Sequence, residues 1–150
     1  MPDPVPVKFA IQIRWRDLDA LGHVNNAVYL TYFELARLAY VRALLGADAP
    51  RDPRTLLPHD FQFILAEVTC HYRSPATLGD QLVATIWVAQ VGRKSFVFEY
   101  RIKDEVTGRL VAEGCSTQVW FDYAANESRP VPVGIVARME SMQGLPIMRV

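Results

Sequence analysis

The sequence predicts an α+β fold in which an antiparallel β-sheet wraps around one long central helix. Three observations carry that prediction. The stretch from Tyr29 to Leu45 is apolar over most of a helical circumference. Four later stretches alternate apolar and polar residues with a period of two. The links between them are short, which favours antiparallel neighbours. One enclosed helix and one such sheet bury each other only if the sheet curls around the helix.

The elements follow in order. Pro2, Pro4 and Pro6 make residues 1–6 an extended lead-in. Val7, Phe9, Ile11, Ile13 and Trp15 then alternate with polar or small residues up to Arg16, which predicts a half-buried strand. Asp17 and Asp19 continue the parity of the apolar row, so an extended chain would turn both carboxylates inward. The helix is expected to begin at Asn25 or Asn26, either of which can act as an N-cap. Its polar residues, Thr31, Glu34, Arg37 and Arg42, fall within an arc of roughly 140° at helical spacing. Gly46 ends it. Three prolines and four charged residues make Ala47 to Pro58 a loop. Strands are predicted over Ile64–Arg73, Gln81–Val91, Ser95–Lys103 and Arg109–Phe121, separated by Ser74-Pro75, Gly92-Arg93-Lys94 and Thr107-Gly108. After the segment Ser128-Arg129-Pro130-Val131-Pro132, a short helix is predicted over 133–142.

At 150 residues the chain fits one domain with a sizeable core, and its 51% hydrophobic and 21% charged content is that of a globular protein. Lys+Arg and Asp+Glu balance at 16 each, which argues against a nucleic-acid partner. No apolar run is long enough to span a membrane, and MPDPVPVKF has neither the basic start nor the apolar core expected of a signal peptide. Cys70 and Cys115 make no disulfide framework, so the expected location is the reducing cytoplasm.

Chemistry concentrates ahead of the helix, in Asp17, Asp19 and Gly22-His23-Val24-Asn25-Asn26. Asp19 reads either as an ordinary turn aspartate or as a carboxylate beside the free N–H groups of a helix N-terminus. There it would serve as nucleophile or as base for water while the amides hold an oxyanion. Asp17 reads as a supporting residue. His23 is a loop histidine or a partner of Asp19 in orientation or proton handling. Asn25 and Asn26 are caps or carbonyl ligands. The spacing of His23, His59 and His71 argues against a metal site. There is no nucleophile elbow, and Cys70 and Cys115 fall within strands as structural thiols. No phosphate-cradling glycine loop is present. Arg93 and Lys94 at a hairpin tip, and Arg73, are solvated cations or contacts for a ligand phosphate.

The segment RWRDLDALGHVNNAVYLTYFELAR resembles the opening motif of hotdog-fold acyl-CoA thioesterases, the 4-hydroxybenzoyl-CoA thioesterase-like superfamily. HYRSPATLGDQL, the GRKS hairpin and SRPVPV follow in similar order. The resemblance implies a hotdog fold, a homodimer or homotetramer with active sites at subunit interfaces, and hydrolysis of an acyl-CoA, or of an acyl carrier protein thioester, without metal or organic cofactor. It places the catalytic aspartate at Asp19, with His23 beside it. It implies substrate or oxyanion contacts at Val24, Asn25, Asn26 and Tyr29, and CoA phosphate contacts at Arg93 and Lys94. The segment is also similar to that of plant acyl-ACP thioesterases, but Leu21 stands where their motif offers an asparagine. A hotdog dehydratase and a non-catalytic acyl-thioester binding protein are the rival readings. The absence of a histidine-led motif on the strand before the helix speaks against the dehydratase. Tyr32, Phe33 and Tyr40 fit an acyl pocket or plain core.

Overall fold

A computed structural model describes residues 3–52 and 61–150. Its elements are β1 (Val7–Ala10), α1 (Val28–Leu45), β2 (Phe63–Tyr72), β3 (Leu82–Val91), β4 (Ser95–Asp104), β5 (Leu110–Asp122), β6 (Glu127–Ser128), α2 (Val133–Gln143) and β7 (Met148–Arg149). The main sheet runs β1-β3-β4-β5-β2, antiparallel throughout. β6 is a short return on β5, and β7 lies parallel to β3.

Period-two alternation does what it predicts on β3 and β4. Leu82, Ala84, Ile86 and Val88, with Phe96, Phe98, Tyr100 and Ile102, form the buried face, and α1 lies across it. Phe33 stacks on Tyr100 with ring centroids 4.2 Å apart, and Tyr40 meets Phe98 edge-on. Bulges in β2, β3 and β5 sharpen the curl around the helix.

Four expectations are corrected. The first strand stops at Ala10 rather than Arg16. Its partner β3 begins at Leu82, whose carbonyl takes the Ile11 N–H, and nothing continues the ladder beyond. The chain then forms a one-turn 3-10 helix at Trp15–Asp17 that throws Trp15 out to 81% exposure. Second, β2 and β3 are not hairpin partners. The link between them crosses the end of the sheet, because β2 pairs with β5 at the far edge. Third, α1 begins at Val28. The Asn25 carbonyl accepts the Val28 N–H and its side chain accepts the Ala27 N–H, so Asn25 caps a turn just ahead of the helix. Fourth, Arg37, placed on the polar arc, is buried, and its guanidinium donates to the Tyr100 hydroxyl. The outward side of α1 carries Thr31, Glu34, Leu35 and Arg42, so this chain alone does not enclose the helix fully.

Beyond α1 the chain makes a 3-10 turn at Gly46–Asp48. The rest of the expected loop from 53 onward, His59 included, lies outside the described residues. α2 is fixed by one buried amide. The Gln143 side chain accepts from the Val88 N–H and the Tyr40 hydroxyl, and donates to the Val88 carbonyl. No helix among the described residues is long and apolar enough to cross a membrane.

Candidate active site

The loop ahead of α1 folds on itself around Asp19. A bridge pairs Leu18 with Val24, the Asp19 N–H donates to the His23 carbonyl, and Gly22 supplies the left-handed turn at φ 79°. Inside the loop, Asp19 Oδ1 accepts the backbone N–H groups of Leu21 at 2.9 Å and His23 at 3.1 Å. Its second oxygen has no protein partner among the described residues. One carboxylate oxygen is thus anchored and the other is left without a protein donor among the described residues. Leu21 takes part through its backbone, its side chain being exposed.

Asp17 does a different job. It is 1% exposed and accepts from Arg14 through both the guanidinium and the backbone N–H, and from the Tyr32 hydroxyl at 2.9 Å. Burial alone would raise its pKa, but these three donors hold the carboxyl below the usual range. A carboxyl lowered in this way stabilises the fold above its unfolded pKa, near about 4, and that contribution is lost as pH falls through the folded value. Asp17→Asn is therefore expected to lower stability by about 1–3 kcal/mol at neutral pH. Denaturation at decreasing pH should show the gap from wild type closing below about pH 4.

Asp19 and His23 open onto a cleft of about 300 Å³, with Val24, Asn26, Tyr29, Tyr72, Arg73, Ser74 and Pro75 as its other walls. The crossover link supplies Ser74 and Pro75, and the next residue, Ala76, accepts the Val24 N–H. The cleft therefore gathers the loop, the start of α1, the end of β2 and the crossing. Tyr29 is 3% exposed and keeps its proton, burial pushing its pKa up to about 12.

The backbone N–H groups around the helix start can be followed one by one. That of His23 goes to Asp19, Val24 to Ala76, Asn25 to the Asp17 carbonyl, Ala27 to the Asn25 side chain and Val28 to the Asn25 carbonyl. The Asn26 N–H has no protein partner among the described residues. Val24 and Asn25, expected at the oxyanion position, thus have their amides committed elsewhere, while the Asn26 N–H stays available on the cleft wall and the Tyr29 N–H in the first turn of α1 likewise has no protein partner among the described residues.

Arg93 and Lys94 do not meet this site within one chain. Lys94 reaches Ser128 at 3.3 Å, and its carbonyl takes the Trp120 N–H. Trp120 pairs with Phe63, whereas the cleft lies at Tyr72, the other end of β2 and about 30 Å away at strand rise. Arg73 is on the cleft wall and ion-paired to Glu113 at 2.9 Å. Sequence reasoning missed Tyr72, whose hydroxyl donates to the Asn26 carbonyl at 2.8 Å. Its inward parity on β2 was readable, but the reach of its hydroxyl was not. Among the described residues no group of His, Cys, Asp and Glu is arranged to hold a metal ion.

A curled antiparallel sheet around one long helix, with a carboxylate-bearing cleft at the helix N-terminus, defines a hotdog-fold protein. The model of the thioesterase-like superfamily matches residues 13–139, and the chain belongs to that superfamily. It is similar to the long-chain acyl-CoA thioesterase FadM of Escherichia coli K12, 29% identical over 132 residues covering 88% of this chain and 96% of that protein. It is also similar to the acyl-acyl carrier protein thioesterase ATL3 of Arabidopsis thaliana, 25% identical over 82% of this chain and 60% of that one. Among solved structures, a thioesterase of Thermus thermophilus in complex with coenzyme A and zinc superposes with a TM-score of 0.80 at 31% identity, covering 98% of this chain and 100% of that one.

Proposed function

We propose that this chain hydrolyses the thioester of an acyl-CoA to a carboxylic acid and free CoA. The observation that supports this reading is that the unbonded oxygen of Asp19 and the free Asn26 N–H belong to one cleft. A thioester carbonyl between them would have its oxygen on the amide and its carbon before the carboxylate. As charge develops on that oxygen, the fixed amide stabilises it. Asp19 either attacks the carbonyl carbon, giving an anhydride that water then opens, or takes a proton from an attacking water. In both routes the carbon–sulfur bond breaks and the CoA sulfur leaves with a proton. His23 stands beside Asp19 as its proton partner, and Tyr29 contacts the acyl group at the cleft base.

The working unit in this reading is a homodimer or larger. β2 is an edge strand with Ile64 and Leu65 exposed, a surface that pairing with a second copy would cover. A second copy could also bring an Arg93–Lys94 hairpin tip to the CoA phosphates of a cleft that its own tip cannot reach. The free thiols Cys70 and Cys115 suit a cytoplasmic setting.

Thiol release measured over acyl-CoAs of graded chain length, aromatic esters included, and over an acyl carrier protein ester tests the proposal. Turnover of CoA esters supports it. Turnover of carrier-protein esters alone moves the substrate to that class, and tight binding without thiol release identifies a sensor instead.

A further inference from the structure

We propose that Tyr72 is a positioning residue for thioester hydrolysis, holding the turn that presents the Asn26 N–H through its hydrogen bond to the Asn26 carbonyl. The inference rests on the hydrolase reading above. An amide stabilises an oxyanion in proportion to how well it is fixed beforehand, and the supports of Asn26 can be traced. On one side the Asn25 N–H is held by the Asp17 carbonyl, and the Asn25 carbonyl by Val28. On the other side the peptide between Asn26 and Ala27 is held at both ends, its N–H by the Asn25 side chain and its C=O by Tyr72 at 2.8 Å. Among these supports, that of Tyr72 is the one that comes from the sheet. The others come from the loop and helix themselves.

Tyr72 is placed for that task. Its ring is 47% exposed on the cleft wall and meets Tyr29 edge-on at 5.4 Å. Tyr29 in turn leans on Tyr32, whose hydroxyl holds Asp17. Burial raises the pKa of the Tyr72 hydroxyl, so it remains a protonated donor at neutral pH. Without it the Asn26 carbonyl faces open cleft, where water can satisfy it. The fold therefore loses little, while the peptide regains freedom at the reacting centre.

Tyr72→Phe keeps the ring and removes only the hydroxyl. The expected result is a fall in kcat of about 10- to 100-fold, the scale of a small misplacement at the chemistry, with KM within about twofold and a thermal midpoint within about 2 °C of wild type. Tyr72→Leu should lose a similar factor in kcat and raise KM as well, because the cleft wall goes with it. An unchanged kcat for Tyr72→Phe overturns the proposal. So does a raised KM at constant kcat, which marks a substrate contact, or a clear drop in midpoint, which marks a structural bond. Wild-type protein that releases no thiol overturns the hydrolase reading itself and the Tyr72 proposal with it.

Discussion

Asp19→Asn is expected to lower kcat for thioester hydrolysis by about 10²–10⁴, the range for losing a positioned acid–base group. The replacement is close to isosteric, and that makes it informative. In the folded loop one Asp19 oxygen accepts the N–H groups of Leu21 and His23, and an asparagine carbonyl can accept both. The loop, the Gly22 turn and the cleft should therefore survive, with a thermal midpoint close to that of wild type. What disappears is the charge on the unbonded oxygen, which in the proposed mechanism either attacks the carbonyl or draws a proton from water. Single-turnover hydrolysis in heavy-oxygen water tests the first route in the wild-type enzyme. Label found in Asp19 marks attack by the carboxylate, with water opening the anhydride at the aspartyl carbon, whereas base catalysis sends all of the label to the acid. Wild-type activity in Asp19→Asn would remove this residue from the chemistry.

Gly114→Ala is expected to be the most damaging change to stability. Gly114 lies on β5 opposite Cys70 of β2 and Tyr100 of β4. A Cβ there would collide with the Thr69 carbonyl and press on the Phe33 ring. Neither neighbour can yield easily, since one is ladder backbone and the other is stacked on Tyr100. Such overpacking costs about 3 kcal/mol at the upper end of the usual range, or a fall of about 6–12 °C in thermal midpoint for a chain of this size. Differential scanning calorimetry reads it directly. A midpoint equal to that of wild type would mean that β2 can move off β5 at no cost. The same displacement should lower activity in the protein that remains folded, because Tyr72 lies two residues along β2 from Cys70.

The parts legible in the sequence were those whose signal is periodic and local. α1, β2, β3, β4, β5 and α2 were predicted to within a residue or two, because burial on one face writes itself as a period of two or of 3.6. Asp19 stood out because a run of polar residues preceded an apolar helix. Trp15 misled for the same reason that made the first strand look long. Alternation persists in the sequence after the partner strand has run out, and only the partner's end decides where the ladder stops. Arg37 misled because a helical arc counts polar residues without knowing that one of them meets a tyrosine hydroxyl inside. The placement of β2 beside β5, and with it the meeting of Tyr72 and Asn26, depends on distant segments and leaves no local mark. Neither does the separation of the Arg93–Lys94 tip from the cleft.

The crossing between β2 and β3 bears on the order in which function emerges as the chain folds. β3, β4 and β5 are consecutive and antiparallel, so they can form as a local meander. β2 must then close onto β5 past two intervening strands, a contact of high sequence separation and hence slow to form. The cleft needs that closure twice over, for the Tyr72 wall at the end of β2 and for the link that runs on from it. Secondary structure should therefore return early when the denatured protein is diluted into buffer, with catalytic competence arriving only in the last kinetic phase. No fragment lacking either sheet edge should retain a fraction of the activity.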